Sequence, residues 1–409
     1  MNIIASARTL AALLSLGCAV GGADDHELRR DSAGVVIVES AETAWDTGDA
    51  WRVDTAPAVS IGVEEGPQHF QFSRVGGVVR LPDGRIVVGN SGSSEIRFFD
   101  SSGAFLSATG RRGQGPGEFG ELSTLRILRS PSGELIVADG GNDRSNVFDD
   151  RGAFARVLRL APAPDAPRVF LTDVFGDGTM LASAPAGGGR LDGSVPNVVL
   201  QGQFHYLRYA PNGTPLGRLF TLTTRPRWVN EYGGSRQFPF IPFTPEPLFA
   251  TRGTEILVFR GPAAEIDVVD TTGRQVRRIR WPGAGARRVA DVWERYTETS
   301  LETFTDEGQR QRYAHFYRQE LPLPETVPAV EALLVDADGN LWARRFRLPW
   351  EAARQWDVLA ADGRWLGTVE TPTSLGVTQI GPDFVLGTHR DSLGVERVRL
   401  HRLQKPARP

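Results

Sequence analysis

Short apolar runs alternate with turn-forming clusters along most of the chain. In the stretch GELIVADGGNDRSNVFDDRGAF (residues 133–154), the runs LIV and NVF are each followed by a cluster rich in Asp, Asn and Gly. Apolar runs of this length, bounded by such clusters, are typical of strands joined by tight turns. The pattern therefore predicts a meander of short antiparallel strands.

The meander is repeated along the chain. The stretch GRIVVGNSGSSEIRFFDSSGAF (84–105) matches residues 133–154 without insertion or deletion, and weaker copies continue to residue 403. A strand before each stretch, at 78–81 and 125–128, and a strand after it bring the unit to four strands. Four-stranded units at a period of about 40 to 50 residues are typical of a β-propeller, in which each unit is one blade.

The sequence therefore predicts an all-β fold, a single six-bladed β-propeller domain of four-stranded antiparallel blades over residues 35–405. Five units and a C-terminal set (376–403) can be recognised, which leaves the strands 35–38 and 58–61 without a blade of their own. We expect these N-terminal strands to complete the last blade, because this pairing closes the ring and removes its open edge. Seven blades is the alternative, with further strands inside the aromatic segment 225–243.

Two segments interrupt the repeat. The first, TRPRWVNEYGGSRQFPFIPFT (224–244), is rich in proline, aromatic residues and arginine and predicts a long loop of the kind that often binds ligands. The second (about 287–320) carries apolar and aromatic residues three or four positions apart, from Val289 to Tyr317, which predicts a helical insertion between late blades. We expect the insertion to pack on one face of the ring, over the mouth of the central channel.

The N-terminus predicts export. Residues 1–18 have the pattern of a signal peptide, and the apolar run TLAALLSL (9–16) is too short to span a bilayer, which takes about 20 residues. The ending SLGC resembles a lipobox and places Cys18, the sole cysteine, at the lipidated position. An ordinary signal peptide cut near Ala23 is the alternative. Residues 19–34 are small and charged and predict a flexible tether, so the expected location is the periplasm or the outer membrane through a lipid anchor.

The charge balance argues against nucleic acid as a partner. The formal net charge is −3, with 46 basic and 49 acidic residues. A protein that binds nucleic acid usually presents a strongly basic field, and this chain has none overall.

The second unit carries a family resemblance. The sequence DGGNDR (139–144), followed by VFD (147–149) and Gly152, resembles the NHL repeat, and the linker GRRGQGPGEF (110–119) is similar to that family's glycine-rich passage between blades. The resemblance implies a bacterial six-bladed propeller of the exported lipoprotein type that binds proteins, peptides or ligands at a rim. It implies no reaction, since one fold hosts many functions.

The polar residues of this unit fit a structural role. Asp139, Asn142 and Arg144 could form a polar site, but a clamp that recurs within blades is the preferred interpretation. The glycines of GQGPG (113–117) are interpreted as a crossing between blades, because a dinucleotide loop would need a helix after it.

No catalytic constellation is visible. The chain lacks a G-x-S-x-G nucleophile motif, and its six histidines show no paired metal-ligand spacing. Whether the protein is an enzyme is left open, with a preference for no and no cofactor expected. The alternative is a metal-dependent propeller hydrolase or lactonase with its site at the central channel. Its ligands would be Glu121, Asp173 and Glu331, near the starts of three inner strands, and Ca²⁺ would suit such oxygen donors.

The primary hypothesis is a noncatalytic exported propeller that binds a protein, peptide or glycan at its rim. Aromatic residues and arginine dominate interface energetics, and the two interrupting segments are rich in both. The candidate binding residues are Arg227, Trp228, Tyr232, Arg236, Phe238, Trp293, Tyr296, Tyr313 and Tyr317. The alternative is that these side chains only pack the two segments onto the ring.

Overall fold

The structure is a computed structural model that describes residues 27–46, 48–121, 123–164, 166–187 and 196–406. The predicted signal peptide, Cys18 and the first part of the predicted tether lie outside these residues. Strands dominate the described chain, and six sheets contain the blades of a β-propeller. The predicted fold class is therefore confirmed.

In the described residues from 27 onward, four strands precede the first blade. They are β1 (Glu27–Ser32), β2 (Val35–Ser40), β3 (Arg52–Val53) and β4 (Val59–Ile61). Blade 1 contains β5 (Val75–Arg80), β6 (Ile86–Asn90), β7 (Glu95–Phe99) and β8 (Phe105–Thr109). Blade 2 contains β9 (Ile127–Arg129), β10 (Leu135–Asp139), β11 (Arg144–Phe148) and β12 (Phe154–Leu158). Two single-turn 3₁₀ helices, Gln68–Phe70 and Gly140–Asn142, lie beside these blades.

The third blade and the segment after it complete the first half of the ring. Blade 3 contains β13 (Phe170–Val174), β14 (Met180–Pro185), β16 (Gln203–Tyr209) and β17 (Pro215–Thr223). Short strands outside the blade are β15 (Val199–Leu200), β18 (Arg227–Trp228), β19 (Asn230–Tyr232) and β20 (Ser235–Gln237). The segment 225–243 therefore contains β18, which pairs with β15, and the β19–β20 hairpin, and it adds no seventh blade.

The remaining blades follow in chain order. Blade 4 contains β21 (Leu248–Arg252), β22 (Glu255–Phe259), β23 (Glu265–Asp270) and β24 (Gln275–Arg280). Two helices come next, α1 (Val289–Glu302) and α2 (Glu307–Tyr317), which confirms the predicted helical insertion. Blade 5 contains β25 (Val330–Val335), β26 (Leu341–Arg345), β27 (Arg354–Leu359) and β28 (Trp365–Thr371). Blade 6 contains β29 (Leu375–Ile380), β30 (Phe384–Arg390) and β31 (Glu396–Gln404).

The first strands of the blades form the inner ring. Contacts join β5 to β9, β9 to β13, β21 to β25, β25 to β29, and β29 back to β5. Between β13 and β21, Thr251 donates a hydrogen bond to Asp173 at 2.7 Å. The six sheets therefore close on themselves, and the apolar clusters of the core lie between neighbouring blades.

The N-terminal strands behave in two different ways. The strand β4 pairs with β31, with Ile61 opposite Val398, so this part of the prediction is confirmed and β4 completes blade 6. The strand β2 does not complete the last blade: it pairs in parallel with β24 and places Val38 opposite Ile279. Val38 is fully buried there, because its side chain extends the apolar face of blade 4.

The predicted tether is also shorter than expected. Its last part forms β1, which pairs with β2 over six residues and extends blade 4 to a six-stranded sheet. The sequence ELRRDS (27–32) shows no apolar alternation because this strand lies at an exposed sheet edge. Charged side chains are typical of such edges, where they oppose pairing with other chains.

A recurrent Asp-x-x-Gly turn explains part of the repeat. After the third strand of blades 1 and 2, Asp100 and Asp149 each accept hydrogen bonds from the backbone N–H groups two and four residues ahead, at 2.8–2.9 Å. The turn then needs a residue with positive φ, and Gly103 (92°) and Gly152 (89°) supply it. The hairpin geometry therefore requires the same two residue types in each copy.

The predicted polar clamp is confirmed. Asp139 is fully buried and accepts hydrogen bonds from Gly120 N–H and Ser123 with one oxygen, and from Asn142 and Arg144 with the other. The Arg144 guanidinium also donates to the carbonyl groups of the glycine-rich linker, at residues 114, 115 and 118. The linker therefore crosses between blades, as predicted, and the clamp fixes its path.

In blade 1, different residues fix the connection that precedes the blade. Arg97, 2% exposed, donates to the carbonyl groups of residues 68, 69 and 71 in the connection before the blade, and it pairs with Glu95 at 2.7 Å. Asn90 accepts a hydrogen bond from the backbone N–H of Ser73. Arg97 lies two positions further along the third strand than Arg144 does in blade 2, but it holds the equivalent connection.

The long insertions all leave from one face of the ring. Because strands within a blade are antiparallel, the loop between strands two and three and the connection to the next blade emerge at the same end. The segments 224–247, 287–320 and 346–350 do so, and they pack together around Phe243 and Phe316. These three segments are called the lobe below. In the part of the chain that the structure describes, no helix is long and apolar enough to cross a membrane.

Candidate functional site

Five of the predicted binding residues lie in the core of the lobe. Trp228 is 8% exposed, and its indole N–H donates to the side chain of Gln319 on the segment after α2. The half-buried aromatic residues from α1 and α2 pack against one another and against Phe243 or Phe316. They are Trp293, Tyr296, Tyr313 and Tyr317. The ring and the N–H of Trp228 are largely engaged within the chain, although the residue also lines the second concavity described below, so its role in binding stays a prediction.

Of the other four predicted residues, Arg236 and Phe238 are exposed and Tyr232 and Arg227 are half-buried. Phe238 is 40% exposed, and Arg236 is exposed beside Glu231, with 4.0 Å between the charged groups. The ring of Tyr232 lies 5.4 Å from that of His315 on α2. Tyr232 and Arg236 belong to the β19–β20 hairpin and Phe238 directly follows it, whereas Arg227 lines a pocket.

The pocket has a volume of about 520 Å³ and lies between blade 3 and the segment that follows it. Blade 3 contributes Phe204 and Tyr206 from β16, and the segment contributes Arg225, Arg227 and Phe240. The exposed carboxylate of Glu246 lines it as well. This cavity is called the arginine pocket below.

Backbone alternation explains why both arginines face the pocket. The chain is extended around β18, where Arg227 pairs with Leu200 of β15 and forms a bridge with Phe240. Side chains of an extended segment point alternately to opposite sides. In the sequence RPRW (225–228) the two arginines therefore share one side, and Trp228 points to the lobe core on the other.

Phe240 is the common neighbour of the two guanidiniums. Their Cζ atoms lie 5.0 Å (Arg225) and 3.9 Å (Arg227) from the centre of its ring, within the range of cation–π contacts. Arg225 also donates to the Thr244 hydroxyl at 3.2 Å and to the Ile241 carbonyl at 3.3 Å, and Arg227 donates to the Phe238 carbonyl at 2.8 Å. Among the described residues, no carboxylate lies within 4.0 Å of either guanidinium, so both retain donors for a ligand.

Burial shapes the ionisation of the pocket. It lowers the pKa of Arg225, and the nearby Arg227 charge lowers it further, although Tyr296 and Glu246 act in the opposite direction. An arginine stays protonated despite such a shift. Burial and the Glu246 charge raise the pKa of Tyr206 to about 12, so its hydroxyl remains a neutral donor.

A second concavity on the same lobe has the opposite character. Its volume is about 830 Å³, and its lining includes Glu231, Glu320 and His315. Two carboxylates face this wider opening, whereas two guanidiniums face the arginine pocket. Of the two concavities, the arginine pocket is therefore the one suited to an anionic group.

The structure does not bring the three predicted metal ligands together. Glu121 lies in the connection between blades 1 and 2 and pairs with Arg112 at 3.2 Å. Asp173 on β13 accepts the hydrogen bond from Thr251, and Glu331 on β25 pairs with Arg344 at 2.8 Å. Within the described residues, no three His, Cys, Asp or Glu side chains form a group that could hold a metal ion. The metal-dependent hydrolase stays a prediction without a ligand set.

Sequence reasoning identified one of the two arginines in this pocket. Arg225 could have been found from the spacing R-x-R if the segment, predicted as a long loop, had been predicted to be extended at this point. Tyr206 and Glu246 had no such signal, because Tyr206 reads as an ordinary strand residue of blade 3 and Glu246 as a loop residue.

Comparison with known proteins supports the fold. The DUF5128 family model, described as a 6-bladed beta-propeller, matches residues 67–142, which include blade 1 and the first part of blade 2. No curated protein matches the chain.

The chain is also similar to several solved structures. A member of the duf4221 family from Bacteroides vulgatus is 9% identical, with a TM-score of 0.47, over 87% of this chain and 99% of that one. A gluconolactonase from Xanthomonas campestris is 12% identical, with a TM-score of 0.42, over 86% and 100%. Virginiamycin B lyase from Staphylococcus aureus is 12% identical, with a TM-score of 0.39, over 87% and 99%. None of these likenesses bears on what this protein binds.

Proposed function

We propose that this protein is a noncatalytic binding propeller of the cell envelope whose ligand site is the arginine pocket. The observation that carries the proposal is the pair of guanidiniums, Arg225 and Arg227, that share the ring of Phe240 and, among the described residues, have no carboxylate within 4.0 Å. Two like charges placed together at a partly dry site oppose folding rather than support it. An anionic group of a ligand would relieve this repulsion and use the free donors.

The partner is a protein, peptide or glycan that also contacts the surface beside the pocket. The β19–β20 hairpin presents Arg236 and Phe238 to solvent, and Phe240 is 41% exposed at the pocket itself. Exposed aromatic and arginine side chains next to a cavity are typical of interfaces. In this proposal the signal sequence exports the chain, and a lipid on Cys18 tethers it to the membrane.

Site-directed photocrosslinking in the producing cell tests the binding function. A benzoylphenylalanine residue replaces Phe240 in one variant and Leu216 in a matched control, since Leu216 is 54% exposed on the outer strand β17 of blade 3. We expect illumination to give a discrete covalent adduct, measured as a mass shift of the intact chain, at position 240 only. Equal labelling at both positions, or no adduct at position 240, would contradict the proposed site.

A further inference from the structure

We infer that the arginine pocket recognises a single carboxylate carried beside an aromatic group, either in a free aryl acid or at the C-terminal residue of a peptide. This inference rests on the proposed function and specifies its ligand. It follows from the charge of the pocket, the arrangement of its donors and the composition of its walls.

The charge of the pocket matches a monoanion. Arg225 and Arg227 contribute two positive charges, and Glu246 contributes one negative charge, which leaves a single net positive charge. A carboxylate would neutralise this charge. A phosphate dianion would overcompensate it and would face Glu246 without a counterion, so the pocket disfavours it.

The donors are placed for a planar group. A guanidinium offers a rigid fork of N–H donors that fits the two oxygens of a carboxylate, and the Arg227 guanidinium lies over the Phe240 ring. Arg225 donates to Thr244 and to the Ile241 carbonyl through Nε and Nη2, so it adds the donors of its Nη1 beside the same ring. Only one nitrogen of Arg227, Nη1, is engaged by a backbone carbonyl, that of Phe238. The Tyr206 hydroxyl, which stays protonated, adds a neutral donor in the same lining.

The walls provide a surface for an aromatic body. Phe204, Tyr206 and Phe240 line the cavity together with Pro185 and Pro247. Tyr206 is held by a stacked contact with Phe220 and an edge contact with Phe249, each with 5.0 Å between ring centres. A wall fixed in this way can accept an aromatic ligand without reorganisation, and offset or edge contacts between rings stabilise such a complex. The volume of about 520 Å³ lies within the usual range of small-ligand sites, about 300–1,000 Å³.

Titration calorimetry with matched small ligands tests the inference on the purified full mature chain. N-acetylphenylalanine is compared with its C-terminal amide, which keeps the ring but removes the charge, and with phenyl phosphate, which keeps the ring but carries two charges. We expect the carboxylate to bind about 10- to 100-fold more tightly than the amide, as for loss of a hydrogen-bonded charge. A peptide such as acetyl-Gly-Gly-Phe then separates the two sources: tighter binding than the amino acid points to a peptide C terminus, and equal binding points to a free acid.

Substitutions of single arginines test whether the carboxylate binds in the arginine pocket. Arg227→Gln should weaken the carboxylate about 10-fold or more and leave the amide unchanged, whereas Arg227→Lys should restore part of the affinity because it keeps the charge. Arg310→Gln is the matched control, since it removes an exposed arginine of α2 that does not line the pocket. Melting curves of each variant establish that it is folded.

Three results would overturn the inference. They are equal affinity for acid and amide, tighter binding of phenyl phosphate, and an Arg227→Gln variant that binds the acid like the parent. If one of these occurs while the adduct at position 240 persists, the pocket binds a different class of ligand and only the inference fails. If the adduct is absent as well, the proposed function fails with it.

Discussion

The clamp around Asp139 gives the sharpest prediction for stability. In the Asp139→Asn variant the side chain keeps its shape, and one oxygen can still accept from Gly120 N–H and Ser123. The second oxygen becomes an NH₂ group, which then faces the donors of Asn142 (2.8 Å) and Arg144 (3.2 Å). Two hydrogen bonds are replaced by donor–donor contacts, and a guanidinium that is 5% exposed loses its counterion.

The magnitude follows from these losses. Removing one partner of a buried ion pair costs about 3–5 kcal/mol, because the remaining charge stays uncompensated. An unsatisfied buried donor alone costs about 1–3 kcal/mol. We therefore expect Asp139→Asn to lower the free energy of unfolding by about 3–5 kcal/mol. The exposed turn variant Asp149→Asn is the control, with an expected change within about 0.5 kcal/mol, since its oxygen still accepts both backbone N–H groups.

Urea unfolding followed by tryptophan fluorescence measures the difference between the two variants. Limited proteolysis gives a second readout, because Arg144 holds the linker 110–119, which contains Arg111 and Arg112. Trypsin should cut after these residues faster in Asp139→Asn than in Asp149→Asn. The reasoning would be refuted if the two variants unfolded at the same urea concentration and were cut at the same rate.

Three further predictions concern other parts of the molecule. Trp228→Ala should destabilise the protein by about 3–5 kcal/mol in thermal unfolding, because it leaves a cavity at a buried site in the lobe. Phe238→Ala, at an exposed position, should change stability little. Similar losses of stability in both variants would contradict the assignment of Trp228 to the core. Burial, the largest cause, lowers the pKa of His401 below its ordinary 6.5, with Arg399 acting in the same direction and the Asp54 carbonyl against it. The folded state therefore favours the neutral ring, so this contribution to stability is present above pH 6.5 and is lost as the pH falls. The His401→Asn variant, which can keep the hydrogen bond to Asp54, should lose less stability on acidification. A pH profile of unfolding identical to that of the parent would contradict this role of His401. Cys18→Ser should abolish incorporation of labelled fatty acid and release the protein from membranes, and continued labelling would contradict lipidation at this residue.

The sequence by itself determined the features that depend on local pattern. The Asp-x-x-Gly turns, the strand period and the Asp139–Arg144 clamp each involve residues within one repeat unit, where the chemistry of a turn or a buried pair restricts the choice of residues. The helical insertion was predictable for the same reason, because its three-four spacing is visible in one short window. Because the four-stranded pattern is repeated along the chain, counting the copies predicted the number of blades.

Only the tertiary structure decided which distant segments meet. The parallel pairing of β2 with β24 depends on the exposed edge of blade 4, and no local sequence pattern near β2 predicts this partner. In the segment 224–244, the local sequence does not distinguish an aromatic residue that is buried, such as Trp228, from one that is exposed, such as Phe238. The arginine pocket joins Arg225 and Arg227 to Tyr206, about 20 positions earlier on a blade strand, and that proximity arises from sheet geometry and not from spacing along the chain.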